Sequence, residues 1–242
     1  MNFDVLIAAW QRFLDWFCDP WFWAMTWSLT KGLGTTLSIF FLTLLFALPL
    51  GLLVALGRMS RFAPLRVFVM GYISVMRGTP LMLQLLFFYF GPFYIFGIRL
   101  STLGFWGIDY RFIAVILGFS LNYAAYFAEI YRSGIEAVPR GQWEASSVLG
   151  FSRPQTFFRI ILPQVVKRIL PPVTNEVITL VKDTSLAFAL AEMEMFTIAK
   201  MKAAAHTTMT PFLVAALFYY ILNFVVAAVM ARCEKALSYY HV

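Results

Sequence analysis

Charge is scarce in this chain: Asp, Glu, Lys and Arg make up 13% of its 242 residues, about half the share carried by soluble domains. That excludes a free-standing water-soluble globule. Cysteine is rarer still, with Cys18 and Cys233 alone, so no disulfide framework or cysteine metal site is on offer. His206 and His241 are the only histidines, too isolated to be read as metal ligands. No G-x-x-x-x-G-K-[ST] loop occurs, which removes the backbone cradle that holds nucleotide phosphates. The N-terminal segment lacks the basic start and small-residue cleavage site of a signal peptide and is expected to stay on the mature protein. Low-complexity tracts and internal repeats are missing as well.

What the chain has in excess is apolar: 61% of residues are hydrophobic and 18% aromatic. Charge-free runs of about 20 residues recur, long enough to cross a hydrocarbon core of roughly 30 Å as a helix. One runs from Gly32 to Gly57, a second lies between Arg77 and Arg99, a third between Arg111 and Glu129, and a last from Ala203 to Ala231. A more polar candidate, near Pro172 to Leu190, holds Glu176, Lys182 and Asp183. The expectation is an all-α membrane protein with about five transmembrane helices and no room for a large soluble domain. Pro64 to Met76 is apolar but too short to cross alone. It is read as the first half of span two, broken at Gly78-Thr79-Pro80 because proline removes a donor and restricts the residue before it. A surface-lying helix followed by a separate span is the other reading.

Basic residues set the orientation, since short cytoplasmic loops are rich in Lys and Arg. Arg58, Arg61 and Arg66 follow span one; Arg132, Arg140, Arg153, Arg159, Lys167 and Arg168 surround the loop after span three; Arg232 and Lys235 follow the last span. The N-terminus is therefore expected outside and the C-terminus inside, which also places Cys18 and Cys233 on opposite faces. The formal charge of +7 is accounted for by this bias, and no nucleic-acid partner is implied. Residues 1–29, with five tryptophans from Trp10 to Trp27, read as an interfacial segment at headgroup level. Residues 30–237 read as the transmembrane domain.

The longest cytoplasmic connection, residues 132–168, exceeds a simple turn and is expected to be functional. Pro139 and Gly141 start a helix, Gln142 to Leu149 continue it, and Gly150 suits its C-cap. Such a helix exposes Trp143, Val148, Leu149 and Glu144, a plug for a socket on another protein or a rest on lipid headgroups.

Ionisable side chains inside a span cost about 2.5–3.5 kcal/mol each on insertion scales and usually face a bundle interior or a water-filled path. Glu176 and Asp183 are two helical turns apart, so they share a face with Thr179 between them, and Lys182 projects away. Two carboxylates on one stripe suit a cation such as the ammonium of an amino acid, and oppose an acidic one. At the Thr79-Pro80 break, freed backbone groups can hold a polar ligand, and Arg77 can meet either a carboxylate there or the headgroups. Glu129 pairs readily with nearby Arg132. Glu176 and Asp183 have a structural alternative too, an ion pair with Lys182 of a partner subunit.

Glu144-Ala145-Ser146, then Gly150, then Ile160, Leu162 and Pro163 match in spacing the ATPase-docking motif, the EAA loop, which this sequence resembles in the permeases of ABC importers. Arg77-Gly78-Thr79-Pro80-Leu81 with Gln84, Leu121 to Tyr126 with Glu129, and Asn175-Glu176-Val177 through Lys182 to Leu186 look like the polar amino-acid branch of that family. The resemblance covers nearly everything from Lys31 onward. It departs at Ser146, where the family usually has alanine, and leaves the Trp-rich start unassigned. It implies a subunit of the bacterial cytoplasmic (inner) membrane, in lipid, paired with an identical or related permease subunit above two copies of a separate ATPase and served outside by a solute-binding protein. ATP and Mg²⁺ then belong to the ATPase, with no cofactor and no enzyme activity on this chain. It also implies that Arg140, Gly141, Gln142, Trp143, Glu144, Ala145 and Gly150 form a cytoplasmic coupling helix. Glu176, Asp183, Thr179, Asn122, Thr79, Pro80 and Arg77 then line the substrate path. An ion-coupled secondary transporter is the competing reading of the carboxylates, against which stand the few spans and the lack of paired interrupted segments; a scaffold without transport is the other.

Overall fold

The computed structural model describes residues 17–105 and 107–237, and every named element among them is helical. The first, α1 (Pro20–Arg58), spans 39 residues, started by the Asp19 carboxylate accepting from Trp21 N at 2.8 Å and by Pro20 in the first turn. At 1.5 Å per residue it is about 58 Å long, nearly twice a hydrocarbon core of roughly 30 Å. Trp21, Trp23 and Trp27 therefore ride the start of the same helix that forms span one, and no break falls at residue 30. Residues 1–16 of the Trp-rich segment, with Trp10 and Trp16, lie outside the described residues. Helix α1 runs unbroken because nothing between Pro20 and Arg58 stops it, since Gly and Pro are tolerated in membrane helices.

The centre of the bundle is α4 (Tyr110–Glu136). Of its membrane-length apolar stretch 67% is buried, against 33% for α1 and 6% for α9 (Thr210–Ala236). A stripe of small residues on α1, including Thr43, Ala47, Gly51 and Ala55, is buried, as small residues let membrane helices approach closely. A Cβ built at Gly51 would stand 2.8 Å from Phe127 Cβ and 3.1 Å from Ala124 O, both on α4.

Two shorter helices, α2 (Ala63–Gly78) and α3 (Leu81–Phe96), meet at Thr79-Pro80 at an angle of 112°. The break lies where the sequence puts it, but the bend turns the chain back, so α2 and α3 do not run on as one long helix. Thr79 is extended at φ −121°, as a residue before proline must be, and Pro80 cannot donate to continue the ladder. Both halves are tied to α4: Tyr72 Oη donates to Leu121 O at 2.6 Å, and Tyr110 Oη to Phe88 O at 2.6 Å.

After α4 come α5 (Arg140–Val148), the single turn α6 (Arg153–Thr156) and a π-helical turn at Phe157–Ile161. They lead into α7 (Leu162–Asp183), which changes to a 3₁₀ helix at Thr184–Leu190. Next is α8 (Met195–His206), then α9. The apolar run expected from Ala203 is divided here: α8 ends at His206, Thr207 takes the left-handed conformation at φ 48°, and α9 starts at Thr210 with Pro211 in its first turn. Glu194, fully buried, caps α8 by accepting from Phe196 N and Thr197 N, both at 2.6 Å, and from Tyr219 Oη on α9 at 3.1 Å.

Among the described residues three helices, α1, α4 and α9, are long and apolar enough to cross a membrane, or four if the bent pair counts as one span. The polar candidate α7 is not one of them, with Lys167, Arg168, Glu176, Lys182 and Asp183 along its 22 residues.

Candidate functional site: a polar cavity beside the helix break

A cavity of about 270 Å³ lies between α4, α7 and the α2–α3 break, lined by Thr79, Leu81, Asn122, Tyr123, Tyr126, Glu176, Thr179 and Asp183. Small-molecule pockets begin near 300 Å³, so the volume suits a small ligand. Each wall follows from local structure. On α7, Glu176, Thr179 and Asp183 fall at i, i+3 and i+7 and face one way, while Lys182 is exposed. On α4, Asn122, Tyr123 and Tyr126 fall at i, i+1 and i+4 and line the cavity from across it. The break contributes Thr79 and the first residue of α3, Leu81.

Five of the seven site residues expected from the sequence are thus brought together. The other two stand beside the cavity. Arg77 places its guanidinium 5.1 Å from the centre of the Tyr126 ring, a cation–π arrangement. Pro80 acts through its backbone: its carbonyl accepts from Leu83 N at 3.0 Å and Gln84 N at 3.3 Å, starting α3.

Tyr123 and Tyr126 line the cavity without having been singled out as site residues, though both lie in the Leu121 to Tyr126 motif, one next to Asn122 and the other one turn on. Tyr123 Oη donates to Asp183 Oδ2 at 2.8 Å, a charge-assisted bond that fixes one carboxylate oxygen. Asn122 commits its amide nitrogen twice, to Met76 O and to Gln84 Oε1, each at 3.0 Å. An amide nitrogen carries two hydrogens, so Asn122 has only its carbonyl oxygen left for a ligand. The wall is consequently rich in acceptors: two carboxylates, an amide oxygen and two threonine hydroxyls.

Glu129 lies apart from this wall. It pairs with Arg132 at 2.6 Å and with Arg58 at 3.7 Å, and Arg132 reaches Glu136 at 2.5 Å, which is the structural role expected of it.

The loop after α4 builds a second surface. Helix α5 ends in a Schellman pair, Gly150 N to Ser147 O and Phe151 N to Ser146 O, both at 3.1 Å, with Gly150 at φ +79°. That is the left-handed cap its sequence promises. Val148 and Leu149 stand exposed, but Trp143 does not: it packs half-buried on Val138, Ile161 and Val165, because a single face of so short a helix must anchor it. Ser146, the departure from alanine, is buried and donates to Trp143 O at 2.9 Å. Arg140, Trp143, Glu144 and Ser147 line a groove with Arg61, Arg153 and Thr156. Gly141, Gln142 and Ala145 are exposed on α5 outside that lining.

Comparison with known proteins bears on both surfaces. Residues 47–239 match the model of the family described as binding-protein-dependent transport system inner membrane component. The probable amino-acid ABC transporter permease protein YckA of Bacillus subtilis is 40% identical over 211 residues, covering 87% of this chain and 89% of that one. The L-cystine transport system permease protein TcyB of the same organism is 37% identical, covering 88% and 87%. The fold is also that of a crystal structure of an amino acid ABC transporter with histidines, with a TM-score of 0.77 at 30% identity over 86% of this chain and 94% of that one. The family match spans the stretch that holds the cavity and α5, and the chain belongs to the family of binding-protein-dependent transport system inner membrane components.

Proposed function

We propose that a cationic or polar neutral amino acid passes through the cavity beside the helix break, held by Glu176 and Asp183. Family membership makes the chain a permease subunit of an amino-acid ABC importer, multi-pass in the inner membrane, with a separate subunit hydrolysing ATP and a substrate-binding protein delivering solute. It displaces the ion-coupled alternative.

The observation that carries the substrate reading is the acceptor-rich wall, with two carboxylates on one face of α7 opening on one small cavity. An ammonium or guanidinium finds partners there, and an acidic side chain finds repulsion. The substrate's own carboxylate is served from the other side by Arg77 and by the start of α3, which has no side-chain cap. Helix N-termini favour negative charge. Relatives named for cystine and arginine, and the structural relative solved with histidines, support this class.

In the same reading α7 is the fifth crossing, its charged face turned inward, with the N-terminus outside and the C-terminus inside. The groove along α5, with Arg140 and Glu144 on its rim, receives the ATPase, which holds the ATP and Mg²⁺. A second permease subunit, identical or related, completes the pathway.

The test is the double variant Glu176→Gln/Asp183→Asn in liposomes with the ATPase and the binding protein. Loss of substrate-stimulated ATP hydrolysis with assembly intact is expected. Undiminished stimulation refutes the cavity as the substrate path.

A further inference from the structure

Gln84 is 7% exposed, in the first turn of a helix otherwise made of apolar and aromatic residues. It is not part of the cavity lining, yet it holds three pieces of that lining together. Its Nε2 lies 3.0 Å from Met76 O, 3.1 Å from Thr79 O and 2.8 Å from Thr79 Oγ1, three acceptors that share its two hydrogens, while its Oε1 accepts from Asn122 Nδ2 at 3.0 Å. Asn122 Nδ2 also reaches Met76 O, so the two amides close on a single carbonyl of α2 from α3 and from α4. Thr79 Oγ1 in turn donates to Val75 O at 2.8 Å.

The break explains why such a network is needed. A helix end leaves its last carbonyls without partners, and in a membrane interior no bulk water is present to satisfy them. Here they are satisfied by side chains, and the geometry of those side chains fixes where Thr79 and Leu81 stand relative to Asn122. With an apolar residue at 84, Met76 O and Thr79 O would each lose a donor. Asn122 would regain a free N–H facing an acceptor-rich wall, which changes the polarity of the site as well as its shape.

We propose that Gln84 is a positioning residue of the substrate cavity, locking the α2–α3 break to α4 so that Thr79 and Asn122 turn their acceptors to the substrate beside Leu81 at the start of α3. The proposal rests on the cavity being the substrate site. Its test is direct binding of radiolabelled amino acid, L-arginine or L-histidine, whichever binds more tightly, to the purified permease–ATPase complex without binding protein. Gln84→Met keeps the length of the side chain and removes its polar atoms. The expected result is a Kd raised about tenfold, with assembly and basal ATP hydrolysis unchanged, which a purely architectural bond would not produce.

Gln84→Asn keeps the amide and shortens its reach; the same rise in Kd is expected if Gln84→Met does not assemble. A native Kd in either assembled variant overturns the proposal, and failure of both to assemble overturns it in favour of a structural latch. The Glu176→Gln/Asp183→Asn complex is measured alongside. If it loses binding while Gln84→Met binds as the native complex does, the positioning role falls and the cavity reading stands. If neither variant changes Kd, the cavity reading itself has failed.

Discussion

Replacing Asp183 by Asn removes one of the two negative charges in the cavity while leaving its shape, and the consequence can be worked out. Tyr123 Oη donates to Asp183 Oδ2 at 2.8 Å, and it can donate equally to an amide oxygen, so the anchor of the side chain survives. What is lost is attraction. Two unit charges about 4 Å apart gain roughly 4 kcal/mol at an effective dielectric constant near 20. A neutral hydrogen bond to the amide recovers about 1 kcal/mol. With the cost of desolvating the carboxylate also removed, a net loss of about 2–3 kcal/mol remains, or roughly 30- to 150-fold in Kd at 1.4 kcal/mol per decade. The assay is equilibrium binding of radiolabelled L-arginine or L-histidine to the permease–ATPase complex, read beside substrate-stimulated ATP hydrolysis in liposomes. An Asp183→Asn complex that binds within twofold of the native one refutes the assignment of Asp183 to the ligand, whatever happens to hydrolysis.

Gly150→Pro is expected to release or uncouple the ATPase, since Gly150 stands at φ +79° and donates to Ser147 O, neither of which proline can do; a stable, fully active complex removes the docking role of α5. Gly51→Leu places a side chain against Phe127 Cβ and the Ala124 carbonyl and is expected to cost about 1–3 kcal/mol. A native melting temperature in detergent would show that α1 and α4 do not approach as described. Glu129→Gln weakens a partly exposed ion-pair cluster with Arg58 and Arg132, worth about 1 kcal/mol or less, and leaves substrate binding unchanged. A tenfold rise in Kd there would move Glu129 into the site.

Much of the cavity is legible in the sequence because two of its walls are one-dimensional features. The spacing of Glu176, Thr179 and Asp183 is a property of one helix, and Gly78-Thr79-Pro80 is a local stop, so each can be read without knowing what lies opposite. Tyr123 and Gln84 escape for the opposite reason. Their roles depend on the register between helices, which puts Tyr123 beside Asp183 and Gln84 beside Asn122, and no periodicity within one segment encodes that. Glu194 shows the same limit from another side. In the sequence it is one more acid between two apolar runs; in the fold it is fully buried and caps α8. Trp143 looks like an exposed docking residue until the cluster of Val138, Ile161 and Val165 beneath it is known.

The legible and illegible parts meet at the places where helices stop being regular. Thr79 sits in an extended break, and Asp183 is the last α-helical residue before the chain tightens into the Thr184–Leu190 3₁₀ helix. Regular helix interiors consume their backbone groups internally and offer a ligand only side chains; an irregular joint offers backbone dipoles too and can change its dihedral angles at lower cost. A permease needs both properties in one spot, to grip a polar solute and then to let go. The break and the α-to-3₁₀ junction face the same 270 Å³ of space, so a small rotation at either joint changes the distance between the carboxylates and the acceptors of the opposite wall. If an ATPase docks on α5 as proposed, its motion would enter α7 at the Leu162 end and meet the Pro171-Pro172 pair, where the backbone ladder lacks two donors, before reaching Asp183.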